Sequence, residues 1–186
     1  MKLKKIWQYV SGELPLWFIG LLTNWMPDVP LTCRLRGFLS APFLKKCGRN
    51  FQYGSHVRFL SPHGIAIGDN VYVAAGCWIS GSGKLVLEDE VVVGPYTIIV
   101  TAEHRFKNNS VRFGGATFAP VKIGKGSWIG AHSVITAGVT IGRGNLIGAN
   151  AVVTADTPDN VFAAGVPARV VGERKDNPSE IKSLSE

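Results

Sequence analysis

Residues 123–154 read IGKGSWIGAHSVITAGVTIGRGNLIGANAVVT. Ile123, Ile129, Ile135, Ile141, Ile147 and Val153 recur at every sixth position, and Gly124, Gly130, Thr136, Gly142, Gly148 and Thr154 follow them. A period of six fits neither an amphipathic helix nor a simple hairpin. It suits a chain that turns a corner every six residues, so that three sides close a triangular coil of about 18 residues. The branched residue points inward and stacks on its counterpart one coil along. The next residue is small because the corner leaves little room. Stacked coils bury one apolar column and pair each other's backbone. The unbroken register predicts an all-β fold, a parallel β-helix of hexapeptide repeats, rather than a sandwich with coincidental spacing.

The same period extends backwards. Leu87, Val93 and Ile99 form one set, Ile67, Val73 and Ile79 another, and Cys47, Tyr53 and Phe59 a weaker third. The sets are separated by shifts of eight residues, read as short excursions at corners. The predicted organisation is an arm over residues 1–46, a β-helix domain over 47–172 and a polar tail over 173–186. An excursion at residues 105–120 interrupts the coils, and a long break in a regular solenoid is usually functional. In the arm, residues 2–12 and 15–25 are predicted as short helices.

The formal net charge is +7, and all of it belongs to residues 1–58, which hold nine basic residues against Glu13 and Asp28. With Trp7, Trp17 and Trp25 among leucines, the arm has two readings. It packs over one end of the β-helix and blunts an open edge, or it rests on anionic lipid as an interfacial segment. Nucleic-acid binding has only the basic arm behind it and is not expected. The apolar run at residues 14–22 is shorter than the roughly 20 residues a membrane span needs. Lys2, Lys4 and Lys5 ahead of it imitate a secretory signal, but no cleavage site follows promptly. A cytoplasmic location is expected, and Cys33, Cys47 and Cys77, with neither pairing nor metal spacing, are read as idle thiols.

His104 stands immediately before the excursion, where a side chain can reach both solvent and a ligand. Imidazole is the side chain best suited to general base work near neutrality. His56, His63 and His132 have no comparable placement. No nucleophile elbow occurs, no close histidine pair suggests a metal site, and the glycines follow the period of six rather than a phosphate-binding loop. Glu88, Asp89 and Glu90 read as a solvated turn.

Residues 120–131 (PVKIGKGSWIGA), 138–142 (GVTIG) and 164–170 (AGVPARV) resemble the hexapeptide-repeat O-acetyltransferases, in the subgroup acting on galactosides, maltose and nodulation factors and in polysaccharide clusters. The resemblance covers about residues 65–172. It implies a left-handed β-helix, a homotrimer with sites between subunits, acetyl-CoA as co-substrate without a metal, and a sugar or glycan acceptor. Residues 100–104 (VTAEH) match the segment with the family's catalytic histidine, so that role falls on His104. Trp128, Gly130, Ala131, Ala149, Thr154 and Arg169 match positions along the coenzyme groove, and Ser82 an acceptor position. Ala131 replaces a serine that helps hold the oxyanion in the galactoside enzyme, so a backbone N–H near Gly130–Ala131 would serve instead. Ala74 and Ser82 replace an asparagine and an aspartate at its sugar site, so a simple galactoside is not the expected acceptor. An antibiotic-inactivating acetyltransferase, a non-catalytic scaffold and a metal-dependent hydrolyase are the competing readings.

Overall fold

The structure, a computed structural model, describes residues 6–174; Lys2, Lys4, Lys5 and the tail beyond Arg174 lie outside them. Three parallel sheets run along the body. The first contains Lys46–Cys47, Ile65–Ile67, Leu85–Leu87, Val121–Ile123 and Thr140–Ile141. The second contains Gln52–Tyr53, Tyr72–Val73, Val92–Val93, Trp128–Ile129, Leu146–Ile147 and Val161–Gly165. The third contains Arg58–Leu60, Trp78–Ser80, Ile98–Ile99, Val134–Ile135 and Val152–Val153. The chain visits the three sheets in turn, so each coil is a triangle and the stack is a three-sided prism.

The registers show why the period is six. Cys47, Ile67, Leu87, Ile123 and Ile141 are successive Cα partners on the first sheet. Tyr53, Val73, Val93, Ile129 and Ile147 line up on the second, and Phe59, Ile79, Ile99, Ile135 and Val153 on the third. These residues form one continuous interior cluster. The eight-residue shifts fall at the third-to-first corner, where a 3-10 turn at Pro62–Gly64 and a turn closed by Lys84 N–H on Gly81 O (3.0 Å) take up the extra residues. The first-to-second corner repeats a left-handed residue at Asn50, Asn70, Glu90, Gly126, Gly144 and Asn160. Asparagine and glycine tolerate that conformation best, which accounts for their recurrence there.

Both ends of the prism are covered, as unpaired strand edges require. At the C-terminal end, Val161–Gly165 is met antiparallel by Ala168–Glu173. The buried Asn145 ties this end down. Its amide donates to Thr157 Oγ1 (2.8 Å) and Pro158 O (2.7 Å), and its carbonyl accepts Val161 N–H (2.9 Å).

At the other end, helical structure runs from Ile6 to Thr23, with a π-helical turn at Tyr9–Glu13 leading into α1 (Leu14–Thr23). A helix at Pro30–Ser40, α2, was not expected from the sequence. Pro30 suits its first turn because a proline lacks only an N–H that would be unpaired there. Polar contacts clamp the arm to the first coil. Glu13 accepts Ser61 N–H (3.0 Å), Asn24 accepts His56 N–H (2.9 Å), and Ser11 and Trp7 hold His63 by a 3.0 Å hydrogen bond and a stacked ring. Ser40 and Tyr53 share a buried 2.6 Å hydroxyl pair. Gly37 brings α2 directly onto the coil: a β-carbon there would overlap the Phe51 carbonyl oxygen. Gly37→Ala is expected to lower unfolding free energy by about 1–3 kcal/mol through overpacking, read as an earlier urea midpoint with unchanged slope.

Candidate functional site

After Ile99 the chain reaches the third-to-first corner. Thr101 is buried there, donating to Ser80 O (3.2 Å) and accepting Gly83 N–H (2.9 Å). The chain then leaves the prism as an antiparallel hairpin, Ala102–His104 against Ala116–Phe118, with His104 opposite Ala116. The excursion therefore begins earlier than residue 105, and His104 lies on its outgoing strand rather than at the end of a coil. Arg105 N–H donates to Gly115 O (3.0 Å), so the strand pairing continues past the histidine. The His104 ring is exposed and makes no hydrogen bond among the described residues. It stands three residues beyond Thr101, about 10 Å of extended chain.

Other predicted residues share this edge. Ser82 is exposed one coil earlier, 3.1 Å from the Ser61 hydroxyl. Thr154, also exposed, follows the third-sheet strand Val152–Val153 two coils later.

A second group lies elsewhere. Trp128 points outward from the second sheet, half exposed at 50%, while its neighbour Ile129 fills the interior. Gly130, Ala131 and Ala149 lie at the second-to-third corner in two successive coils. A β-carbon on Gly130 would stand 2.5 Å from Ala149 N, so glycine is required for the coils to touch. Gly130 N–H is committed to Ile147 O at 2.8 Å. Ala131 accepts Asn150 N–H (2.9 Å), while its own N–H makes no backbone hydrogen bond among the described residues. Arg169 is exposed on the terminal strand and donates to Ala168 O (2.9 Å).

In a triangular section, the third-to-first corner faces the second sheet across the interior. His104, Ser82 and Thr154 therefore lie on one side of the prism, and Trp128 on the opposite side. Three residues of strand do not carry His104 around it. Sequence reasoning also missed a feature beside Ala131. His132 stacks on Tyr96 with ring centres 5.1 Å apart and planes within 13°. Both occupy the left-handed position of the same corner in successive coils, a relation visible only once coil phase is known.

The remaining reactive groups are committed to structure. Burial pushes the thiols of Cys47 and Cys77 up to about 11, which keeps them protonated near neutrality. The acidic turn is bonded: Glu88 pairs with Lys122 (2.7 Å) and accepts Lys125 N–H (2.9 Å), and Asp89 accepts Asp69 N–H (2.8 Å). Among the described residues no three His, Cys, Asp or Glu side chains gather as a metal site would need, and no helix is long and apolar enough to cross a membrane.

Comparison with known proteins places these features in a family. Residues 120–155 match the bacterial transferase hexapeptide model of six repeats, and residues 59–80 match the hexapeptide repeat of succinyl-transferase. The chain is 36% identical over 129 residues to galactoside O-acetyltransferase of Escherichia coli strain K12, covering 69% of this chain and 54% of that protein. It is 43% identical over 108 residues to nodulation protein L of Rhizobium meliloti strain 1021, covering 58% of this chain and 59% of that one. The chain thus spans little more than half the length of these two relatives. A solved galactoside acetyltransferase in complex with coenzyme A superposes with a TM-score of 0.79 at 30% identity, over 90% or more of this chain (91%) and 84% of that structure. The repeat match and the likeness in sequence and fold agree, and the chain belongs to the hexapeptide-repeat acetyltransferase family.

Proposed function

We propose that this chain transfers an acetyl group from acetyl-CoA to a hydroxyl of a sugar or polysaccharide precursor, as a homotrimer whose sites form between copies. The observation that carries the reading is the exposed His104 on a hairpin at one edge of the prism, with the groove residues Trp128, Gly130, Ala131 and Ala149 around the far side. One copy offers the base, and its neighbour offers the coenzyme groove. The small residues at the second-to-third corner fit a long, flat ligand against the coils, and the exposed Trp128 ring supplies apolar contact beside it.

The thioester supplies an activated acetyl carbonyl when bound, and the chain's own groups do the rest. His104 takes the proton of the acceptor hydroxyl as its oxygen attacks the carbonyl carbon. The Ala131 N–H of the neighbouring copy is the donor left to hold the oxygen on which negative charge builds, because Gly130 N–H is already spent. The new C–O bond forms, the C–S bond breaks, and the imidazolium returns its proton to the departing sulfur. Holding both substrates together supplies much of the acceleration. The reaction takes place in the cytoplasm, where acetyl-CoA is available.

The test is complementation. His104→Ala removes the base, and Ala149→Phe, at an exposed position, obstructs the groove. Each variant alone is expected to be nearly inactive. Co-expressed, they are expected to regain activity in sites that take His104 from one copy and Ala149 from another, followed as thiol release from acetyl-CoA over a panel of glycan and antibiotic acceptors. Absence of recovery in verified mixed oligomers would place each site within one chain. A preferred antibiotic hydroxyl would move the acceptor class. Trp128→Ala is expected to raise KM for acetyl-CoA about three- to tenfold with little change in kcat, as loss of one aromatic contact implies.

A further inference from the structure

The two arm helices are inside out. On α2, the residues turned into the protein are Thr32, Cys33, Arg36, Gly37 and Ser40, whereas Leu31, Leu35, Phe38 and Leu39 are exposed. Leu31 and Phe38 are each 77% exposed. Their spacing of i, i+4 and i+7 with Leu35 is that of a single helical stripe, and exposed Arg34 lies beside it. On α1 only Leu16 and Thr23 are buried, so Trp17, Phe18, Leu21 and Leu22 face outward, followed by Trp25 at 79% exposure. Proteins seldom expose so many large apolar side chains on two packed helices without a partner for them. The patch also borders an apolar groove of about 540 Å³ between α1 and the first coils, lined by Leu14, Trp17, Leu21, Arg58, Leu60 and Trp78.

Charge identifies the occupant. The two acids of the arm are turned to internal use, Glu13 on Ser61 and Asp28 on Arg36 and Ser55. Arg34 remains exposed beside the α2 stripe and Arg58 lines the groove beside α1, while Lys45 and Lys46 are exposed where the arm joins the first coil. A second copy would bring an identical cationic rim against this one, which like-charge repulsion opposes. An anionic bilayer meets both demands: acyl chains accept the leucine and phenylalanine stripe, tryptophans settle at headgroup depth, and the basic rim meets lipid phosphate. We propose that the Ile6–Ser40 arm is a monotopic membrane anchor that docks the prism, end first, on anionic lipid. The inference stands independently of the acetyl-transfer reading.

The test is cosedimentation of the full 186-residue chain with phosphatidylcholine vesicles containing or lacking phosphatidylglycerol, with tryptophan fluorescence and sedimentation velocity alongside. Expected are binding that depends on the anionic lipid and weakens with salt, a blue-shifted emission, and loss of about 100-fold in affinity for the Trp25→Ser, Leu31→Ser, Phe38→Ser triple variant. Arg34→Glu is expected to weaken binding to anionic vesicles about fivefold or more. These four side chains are on the surface, so the variants should fold, checked by circular dichroism. Failure to bind anionic vesicles, equal binding of the triple variant, or a change in oligomeric mass caused by it would overturn the proposal. The last outcome would assign the face to another copy of the chain. Turnover on water-soluble acceptors is expected to be the same in the triple variant, which separates the anchor from the acetyl-transfer site.

Discussion

His104→Ala is expected to reduce kcat by about 10²–10⁴-fold while the thermal transition stays where it was. The second half of that expectation comes from the structure. The imidazole is exposed, lies outside the interior cluster and makes no hydrogen bond among the described residues, so its removal opens no cavity and strands no partner. The hairpin that carries it is held by backbone pairing, Ala102 to Phe118 and His104 to Ala116, which alanine preserves. The first half comes from the chemistry. A sugar hydroxyl gives up its proton reluctantly, and no other described titratable side chain is positioned on this strand except Glu103. Strand alternation points successive side chains to opposite faces, so Glu103 cannot take over on the same side. The affinity for acetyl-CoA should hardly change, because in the proposed site His104 meets the acceptor hydroxyl, while the coenzyme is held by groove residues of the neighbouring copy. A kcat loss below about tenfold, with the variant otherwise intact, would remove His104 from the role of base.

Much of the prism was readable because a β-helix repeats one physical requirement. Each two-residue strand contributes one inward side chain, and the interior accepts only branched or apolar groups there. Ile123 to Val153 therefore announce the coils without reference to distant partners. The shifts after Phe59 and Ile79 were readable as corners, and the turns at Pro62–Gly64 and Gly81–Lys84 occupy them. What stayed hidden depends on context that periodicity does not carry. Leu31, Leu35 and Phe38 have the spacing of a buried helical face, yet they point outward, because Arg36 and Ser40 on the opposite face find partners at the end of α1 and in the first coil. Spacing marks an amphipathic stripe but not the side that is covered. The resemblance implied sites between subunits, but the sequence did not say that His104 and Trp128 stand on opposite sides of the same prism. Their separation follows from the position of each residue within its coil, and the hairpin between them stretches one coil to 36 residues against 18 in the next, which hides how many coils lie between them. The Tyr96–His132 stack was hidden for the same reason.

Arg36→Met is expected to cost about 3–5 kcal/mol of stability, and the loss should begin in the arm. The Arg36 side chain is 0% exposed and is the largest polar group in the interior. It pairs with Asp28 at 2.6 Å and donates to the carbonyls of Thr23 (2.8 Å) and Met26 (2.9 Å) at the end of α1. One guanidinium thereby joins α1, the connecting segment and α2, and Asp28 carries the connection onward to Ser55 N–H (2.9 Å) in the first coil. Methionine fills similar space but leaves the carbonyls of Thr23, Met26 and Tyr53 and a carboxylate without their donor. Limited proteolysis should therefore cut near residues 24–30 in the variant before the coils unfold. The pair also sets an acid limit. Burial raises the Asp28 pKa, but the Ser55 N–H, the Arg36 guanidinium and the Ser55 hydroxyl together outweigh it and hold the carboxyl below its ordinary value. A depressed folded-state pKa gives stability that is fully present above the unfolded value and is lost as pH falls through the folded one. The wild-type arm should thus remain docked at neutrality and loosen only in acid, below the ordinary carboxylate range. Without Arg36 the folded-state pKa of Asp28 rises and the same loosening should begin at higher pH. Asp28→Asn removes the titrating group, so its stability should vary less with pH across that range. Equal pH slopes in wild type and Asp28→Asn would show that this ion pair is not what fastens the arm to the prism.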